Sequence, residues 1–443
     1  MGAVPAGRIL EWVGWVLLLC FLVGIHNNQP NDYGHSITFG LVSVIFGVRG
    51  FIGNGGAQVT AVGLFQFSSA LFVGFAGAYA GIEQDARVTA AYLGTAILAG
   101  IALQLLVTIF AGAGKPSSLT AFPETSEVNR LAGWGGGILL VLMAADVLGF
   151  TKQYITLTEG AAFTSTTMIA VGLLWRENAR LMSASSLIIA ASFLAYAEVF
   201  HSGQGRLRIV ALACVLAILF TIRFQRVLLK WLVVVAAPVA LFWLAQQRLS
   251  LQETLAAGAS AGRTGLESMT VPIVIFGQLL DAQAEGFPKS WGYNLLSTLS
   301  PLFRGGPEAL GYELVLIHSP AQYGTGFSVA ATAAGEAVYN FGLLGILIAA
   351  PVLAMFLKLV DNLIRKNVEL SHLGRVRLLT LVVLAMVGGA VADLVWCGQH
   401  IFIMRTLTRL PILALVVLAW MPGRFINKRP KPVRRILRVQ NAR

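Results

Sequence analysis

The chain has 443 residues, of which 56% are hydrophobic and only 12% are charged, and its mean hydropathy is +0.75. A soluble protein carries about 25% charged residues, so this composition excludes an ordinary soluble globular protein. The formal net charge of +12 would point to nucleic acid in a soluble protein. Here eight Lys and Arg residues lie in the tail, 423–443, after the last apolar run. Such a tail is typically cytoplasmic and faces anionic lipid, so no nucleic-acid partner is expected.

Repeated apolar runs of roughly 20 residues predict transmembrane helices along the whole chain. The first run has no signal-peptide cleavage site after it, so it predicts a retained helix. The predicted spans, about twelve, cover residues 9–25, 36–50, 57–81, 89–113, 132–150, 160–175, 182–200, 209–222, 227–245, 328–357, 377–396 and 400–421. With a cytoplasmic N-terminus, most Lys and Arg residues fall in cytoplasmic segments and both termini lie inside. The predicted fold class is an all-α polytopic membrane protein, with residues 1–443 in a single multi-pass domain.

One connection is much longer than the others. Residues 246–327 contain many Pro and Gly residues, but also apolar pieces such as "VPIVIFGQLL". A connection of this length in a compact protein is usually functional. We expect a large external loop whose short helices lie on the outer membrane face.

Several charged side chains fall inside the predicted spans, where charge is expensive and usually functional. They are Asp146, Glu198, Glu336, Asp393, Arg405 and Arg409. The predicted topology places all of them towards the external face. A one-sided cluster of this kind indicates a site that opens outward, because a conduction path would distribute polar groups through the whole membrane depth.

The last span carries two arginines four residues apart, Arg405 and Arg409, which therefore project from one helical face. Two guanidinium groups on one face repel each other unless an anion lies beside them. Paired phosphates are suitable anions, because Arg presents a rigid fork of donors. Alternatively, either Arg could pair with Asp393 or Glu198, or Arg409 could be buried against carbonyl groups.

A second basic spot is "HSGQGRLR", residues 201–208, in a predicted external turn. Its glycines would let backbone amides approach a ligand. Arg206 and Arg208 begin the next helix, whose N-terminus also favours anions. Alternatively, both could be ordinary interfacial arginines that reach towards lipid headgroups.

The segment "GEAVYNFGLLG", residues 335–345, follows the long connection. Thr332, Glu336, Tyr339 and Asn340 are spaced to share one helical face. That face could line a polar cleft and bind sugar hydroxyls, and Glu336 could act as a general base or as a counterion to an arginine.

Three histidines, His201, His318 and His400, are predicted to be external, where each could be catalytic or simply solvated. The cysteines Cys20, Cys214 and Cys397 are scattered and show no metal-ligand spacing. Neither a disulfide framework nor a zinc site is therefore expected, and we expect no cofactor.

These motifs are similar to those of the Wzy-type bacterial oligosaccharide repeat-unit polymerases, which make O-antigen and enterobacterial common antigen. "GEAVYNFGLLG" resembles the family pattern G-E-x-Y-x-N-F-G-x-x-G. "GQGR", ending at Arg206, resembles its G-x-x-R element, and "FIMRTLTR" resembles its late-helix arginine, here Arg405. The arginine turn departs from the commoner G-x-R-G form, so either Arg206 or Arg208 could be the equivalent residue.

The resemblance implies a GT-C-like fold in the bacterial inner membrane, with a periplasmic active site. The implied donor and acceptor are glycan repeat units linked through diphosphate to undecaprenol. Membrane lipids and a chain-length regulator protein are further candidate partners. The implied catalytic residues are Arg206, Arg405 and Glu336. The implied substrate-binding residues are Arg208, Arg409, Tyr339, Asn340 and His318.

Two other functions fit parts of the pattern. A ligase that transfers a finished glycan from undecaprenyl diphosphate to a lipid A core or a protein needs the same diphosphate site. A lipid-linked oligosaccharide flippase is the alternative from another class. A flippase should carry cationic groups along a central cavity, whereas the charges here are predicted on one side only.

Overall fold

The structure of the protein is a computed structural model. It describes residues 6–119, 121–149, 155–177, 182–199, 206–255, 267–296, 310–324 and 328–420. In these residues the chain is helical almost throughout. The helices are α1 Ala6–Asn28, α2 Tyr33–Gly53, α3 Ala61–Ser69, α4 Ala76–Ile82, α5 Ala90–Ala111, α6 Thr125–Val147, α7 Ile155–Leu174, α8 Met182–Val199, α9 Arg206–Phe224, α10 Val227–Leu255, α11 Glu267–Ala284, α12 Leu310–Glu313, α13 Val315–His318, α14 Thr332–Phe341, α15 Leu344–Glu369, α16 Arg375–Gly389, α17 Val391–Cys397, α18 Gln399–Thr408 and α19 Leu410–Trp420.

Within the described residues, ten helices are long and apolar enough to cross a membrane. They are Ile9–Asn28, Tyr33–Gly53, Ala61–Ile82, Ala90–Ala111, Thr125–Val147, Leu157–Leu174, Leu207–Phe224, Leu344–Glu369, Arg375–Cys397 and Gln399–Ala419. Each overlaps a predicted span, which confirms a helical multi-pass membrane protein. The predicted spans 182–200 and 227–245 fall on the shorter apolar helices Met182–Glu198 and Val227–Leu241. Twelve spans therefore stay a prediction.

The N-terminal half is built around α2, which lies directly against the α3–α4 unit. A Cβ atom on Gly40 would come within 2.5 Å of the Gly74 carbonyl oxygen, and one on Gly47 within 2.5 Å of the Gln66 carbonyl oxygen. Close approach of this kind needs small residues at the contact. A π-helical turn, Ala70–Phe75, separates α3 from α4. Other helices enclose the α3–α4 unit, and almost all of its residues are buried.

Two charged side chains, the fully buried Lys230 and the partly buried Asp361, fix the connection between α2 and α3. The ammonium group of Lys230 on α10 donates to the carbonyl oxygens of Phe51 (3.0 Å) and Asn54 at the end of α2. The Asp361 carboxylate accepts from the Ala61 (2.6 Å) and Val62 (3.2 Å) amides at the start of α3. Both groups therefore satisfy backbone groups that helix ends leave unpaired.

Helix α11, inside the predicted external segment 246–327, packs against α4, α5 and α14. Its side chains Ile273, Val274 and Phe276 are fully buried. The sequence predicted helices on the membrane surface, but the apolar central part of this helix is buried within the bundle. The external loop as a whole stays a prediction, and the tail 423–443 lies outside the described residues.

Two predicted spans are interrupted in the structure. The span 328–357 divides into α14 and α15 at Gly342, which has a φ of +64°. This left-handed backbone conformation suits glycine and ends the helix. The span 400–421 divides into α18 and α19 at Arg409, whose amide bonds to the Thr406 carbonyl oxygen (3.2 Å).

Candidate functional site: a buried arginine–carboxylate cluster

Five helices bring six charged or phenolic side chains to one end of the bundle. They are Glu159 on α7, Tyr196 on α8, Arg208 on α9, Asp393 on α17, Arg405 on α18 and Arg409 at the end of α18. The start of α7, the end of α8, the start of α9 and the turn at Gly398 all lie at this end. When two neighbouring antiparallel helices are joined by a short connection, the residues near that connection lie at the same depth in the bundle. Asp393, Arg405 and Arg409, which the sequence predicted in one external cluster, lie together in the structure, and their location on the external side stays a prediction.

Asp393 is the centre of the cluster and is fully buried. Arg405 donates through Nη1 to Asp393 Oδ1, and Arg409 Nη2 lies 3.5 Å from Oδ2 of the same carboxylate. This pairing confirms one of the alternatives from the sequence. The other candidate partner, Glu198, is exposed near the end of α8.

Three residues of α7 contact the end of α18 at Thr408 and Arg409. Its guanidinium carbon lies 3.9 Å from the centre of the Phe163 ring, a cation–π contact. Its carbonyl oxygen accepts a hydrogen bond from Thr164 (2.6 Å). Gly160 makes this approach possible, because a Cβ atom there would lie 2.4 Å from the Thr408 carbonyl oxygen. Helix α7 therefore fixes the position of Arg409.

A second carboxylate balances the third arginine. Arg208 forms an ion pair with Glu159, whose side chain is 3% exposed. Tyr196 donates its hydroxyl to Glu159 (3.0 Å), and its ring meets Phe163 edge-on at 5.9 Å. Arg208 is also within electrostatic reach of Arg405 and Arg409. The three arginines predicted from two separate motifs thus belong to one site.

The cluster has three guanidinium groups and two carboxylates, so its formal charge is positive. The side chains of Arg208 and Arg405 are 23% and 21% exposed, whereas those of Arg409 and Asp393 are 4% and 0% exposed. Among the described residues, Arg409 Nη1 and Arg208 Nε are buried without a hydrogen-bond partner. Buried donors normally have partners. All three arginines line a narrow cleft with Tyr196 and Glu159, so the site is suited to an anion.

Glu336 lies next to the cluster, where α17 meets α18. The amide of Gln399, the first residue of α18, donates to Glu336 Oε2 (2.6 Å). Burial raises the pKa of the Glu336 carboxyl to about 7, although the hydrogen bond from Gln399 acts in the opposite direction. Arg405 is six residues further along α18, about 9 Å at 1.5 Å per residue. Both Glu336 and Arg405 are within electrostatic reach of Cys397, so Glu336 lies close to the cluster.

The predicted polar face of α14 exists, but it is buried. Thr332 begins the helix with a φ of +63° and accepts from the Gly335 amide (3.1 Å). Asn340 donates to the Glu336 carbonyl oxygen (2.8 Å). Tyr339 donates to Glu313 on α12, and burial together with Glu313 raises the pKa of its phenol. A role of this face in binding glycan stays a prediction.

The remaining predicted residues are not brought to the cluster by the contacts described. His318 bonds through Nδ1 to Gln278 on α11 (3.0 Å). Arg206 is the first residue of α9, and its side chain lies outside the described part, as does His201. His400 is half-buried beside Gln399 at the start of α18.

Two members of the cluster, Glu159 and Tyr196, were not predicted from the sequence. Glu159 is an acidic residue at the start of an apolar span, Leu157–Leu174, so the rule that found the other intramembrane charges applies to it as well. Tyr196 gave no comparable signal, because a single Tyr near a helix end is typical of a membrane interface.

Comparison of the chain with family models, curated proteins and solved structures finds no match.

Proposed function

We propose that the protein is a glycosyltransferase that polymerises undecaprenyl-diphosphate-linked oligosaccharide repeat units. We further propose that it has a GT-C-like fold in the bacterial inner membrane and acts on the periplasmic side. The donor glycan would leave its lipid diphosphate and join the acceptor repeat unit. The resemblance of "GEAVYNFGLLG", Arg206 and Arg405 to the Wzy-type polymerases supports this assignment.

The observation that carries the proposal is the juxtaposition of Arg208, Arg405 and Arg409 around two carboxylates. A departing diphosphate develops negative charge, which fixed guanidinium groups at a partly desolvated site stabilise. Arg208 and Arg405 are the more exposed members and would contact the diphosphate first. Arg409 and Asp393 would hold them in place.

Glu336 is the candidate general base. The acceptor hydroxyl oxygen would attack the anomeric carbon of the donor while its proton passes to the Glu336 carboxylate. The bond between the anomeric carbon and the diphosphate oxygen would break, and undecaprenyl diphosphate would leave with the electron pair. The pKa of about 7 for Glu336 suits a base that works near neutral pH.

Binding of inorganic pyrophosphate to the purified protein tests the anion site without knowledge of the sugars. We expect pyrophosphate to stabilise the protein against thermal unfolding, since a ligand of the folded state raises its stability. Arg405→Gln should weaken the apparent affinity for pyrophosphate, measured through this stabilisation, at least tenfold. The matched control is Arg130→Gln, which removes an exposed arginine on α6. Equal pyrophosphate affinity in the Arg405 variant and the wild type would remove the cluster from the proposal.

Activity distinguishes the polymerase from its alternatives. Protein in liposomes is supplied with a synthetic undecaprenyl-diphosphate repeat unit, and the products are separated by size. A ladder of products supports polymerisation. A single transfer to added lipid core without a ladder would indicate a ligase. Movement of the repeat unit across the bilayer without covalent change would indicate a flippase.

A further inference from the structure

A short segment with several exposed aromatic and apolar side chains follows α11. It comprises residues 287–296 and is named the aromatic segment below. The exposed fractions are 74% for Trp291, 57% for Tyr293 and 51% for Leu296. Large apolar side chains that are exposed together on one short segment mark a contact with something outside the protein.

A tight turn presents the Trp291 ring at the surface. Trp291 has a φ of +52° and Gly292 a φ of +87°, and this left-handed conformation is unusual for a bulky side chain. The Lys289 ammonium nitrogen lies 6.0 Å from the centre of the Trp291 ring. An indole, a phenol and an ammonium group are therefore presented close together along the chain.

The aromatic segment is attached to the end of α14, just before the chain enters α15. The Ser290 amide donates to the Tyr339 carbonyl oxygen (3.1 Å). A Cβ atom on Gly342 would lie 2.9 Å from the Lys289 ammonium nitrogen. The aromatic segment therefore lies at the level of the break between α14 and α15.

The start of α15 lies at one edge of the apolar part of the membrane. Leu344 and Leu347 are 69% and 58% exposed, as expected for a spanning helix that faces lipid. Leu344 and Arg365 are separated by about 32 Å at 1.5 Å per residue, and the apolar part of a bilayer is about 30 Å thick. The charged residues between them, Lys358 and Asp361, both lie in the half nearer Arg365. With Arg365 at one membrane surface, the start of α15 and the aromatic segment lie at the other.

The chemistry of the aromatic segment and its surroundings select lipid as its partner. Trp and Tyr are enriched at membrane–water interfaces, and Lys places its ammonium group there, because these side chains combine an apolar body with a polar end. Leu343 directly follows Gly342 and is 58% exposed. The exposed rings and the lipid-facing surface of α15 are therefore neighbours.

We propose that the aromatic segment is a membrane-interface anchor, with Trp291 and Tyr293 inserted between lipid headgroups and the upper acyl chains. The Lys289 ammonium group lies at the level of the headgroups. The anchor fixes the depth in the membrane at which the chain breaks between α14 and α15. It does not depend on the proposed glycosyltransferase activity.

Quenching of tryptophan fluorescence in liposomes tests the anchor. The emission of the Trp291→Phe variant is subtracted from that of the wild-type protein, which leaves the Trp291 component. A nitroxide near the glycerol end of a phospholipid acyl chain should quench this component about twofold more than a nitroxide near the methyl end, because interfacial indoles lie at the level of the headgroups. Aqueous iodide should quench it less than it quenches a free tryptophan derivative.

Trp134 is the matched control. It is exposed on α6, about 14 Å from the start of that helix at 1.5 Å per residue, and therefore near the middle of the bilayer. Its component, obtained with Trp134→Phe, should be quenched more by the deeper nitroxide. A Trp291 component that iodide quenches freely and neither nitroxide quenches would overturn the proposal. A response of that component to a soluble oligosaccharide, without quenching by either nitroxide, would assign the surface to glycan and would also overturn it.

A charge at the same position gives a second test. Trp291→Glu places a carboxylate among lipid, whereas Trp291→Tyr keeps an interfacial side chain. Because the Trp291 side chain is mostly exposed, neither substitution removes much internal packing. We expect the Glu variant in liposomes to unfold a few degrees below the Tyr variant. Equal unfolding temperatures of the two variants would contradict the anchor.

Discussion

Replacement of Asp393 by Asn tests whether the carboxylate is the counterion that holds the arginine cluster together. The substitution keeps the shape of the side chain but removes its charge. Arg405 and Arg409 both pair with this fully buried carboxylate. Their two guanidinium groups would then face each other without an anion between them.

The expected loss in the free energy of unfolding follows from the burial of Asp393 and Arg409. Removal of one partner from a buried ion pair costs about 3–5 kcal/mol, because the other charge stays buried and uncompensated. Arg409 cannot turn to solvent easily, since its side chain is 4% exposed and stacks on Phe163. Arg405 is 21% exposed and can recover part of its hydration. We therefore expect Asp393→Asn to lower the free energy of unfolding by about 3 kcal/mol.

Equilibrium unfolding in mixed micelles measures this difference. Glu198→Gln is the control, because it removes a carboxylate that is exposed at the end of α8 and should change stability by less than about 0.5 kcal/mol. Pyrophosphate should stabilise the Asp393 variant more than the wild type, since it can replace the lost negative charge. A variant as stable as the wild type, with no added response to pyrophosphate, would refute the counterion role.

Three further predictions concern catalysis and packing. Arg405→Ala should abolish the product ladder while the protein still folds and inserts. Arg405→Lys should keep a residual activity. A full ladder from the Ala variant would remove Arg405 from the mechanism. If Glu336 is the base, wild-type activity should rise with pH to a plateau, with a midpoint near its pKa of about 7. Glu336→Gln should lose activity at every pH. A pH profile of this variant equal to that of the wild type would assign the base elsewhere. Because this pKa is above the ordinary value of 4.5, the folded carboxyl keeps its proton longer than the unfolded one, so the Glu336 contribution to stability falls as pH rises from 4.5 to about 7. Gly160→Ala should cost about 1–3 kcal/mol of stability by overpacking, since its Cβ atom would meet the Thr408 carbonyl oxygen, whereas Gly137→Ala on α6 should be close to neutral in a thermal unfolding assay.

The helices and part of the cluster could be predicted from the sequence, because both depend on simple rules. Apolar runs give the spans, and charges within them mark the site. The four-residue spacing of Arg405 and Arg409 predicted a shared face, and pairing with Asp393 was one of the alternatives that the sequence left open. The approach of Glu159 and Arg208 could not be derived, because it depends on how α7 and α9 pack in three dimensions. The burial of α11 was missed for the same reason.

The arrangement of the cluster also orders the roles of its arginines. Each guanidinium already has a carboxylate partner, so an incoming diphosphate has to compete with that partner. Competition is easier at Arg208 and Arg405, which are partly exposed, than at Arg409, which is enclosed by Phe163 and α7. Substitution of the first two should therefore weaken anion binding more than it weakens folding, whereas substitution of Arg409 should do the reverse. Paired measurements of pyrophosphate affinity and unfolding free energy on the three Gln variants would show this order, and a greater loss of binding than of stability in the Arg409 variant would contradict it.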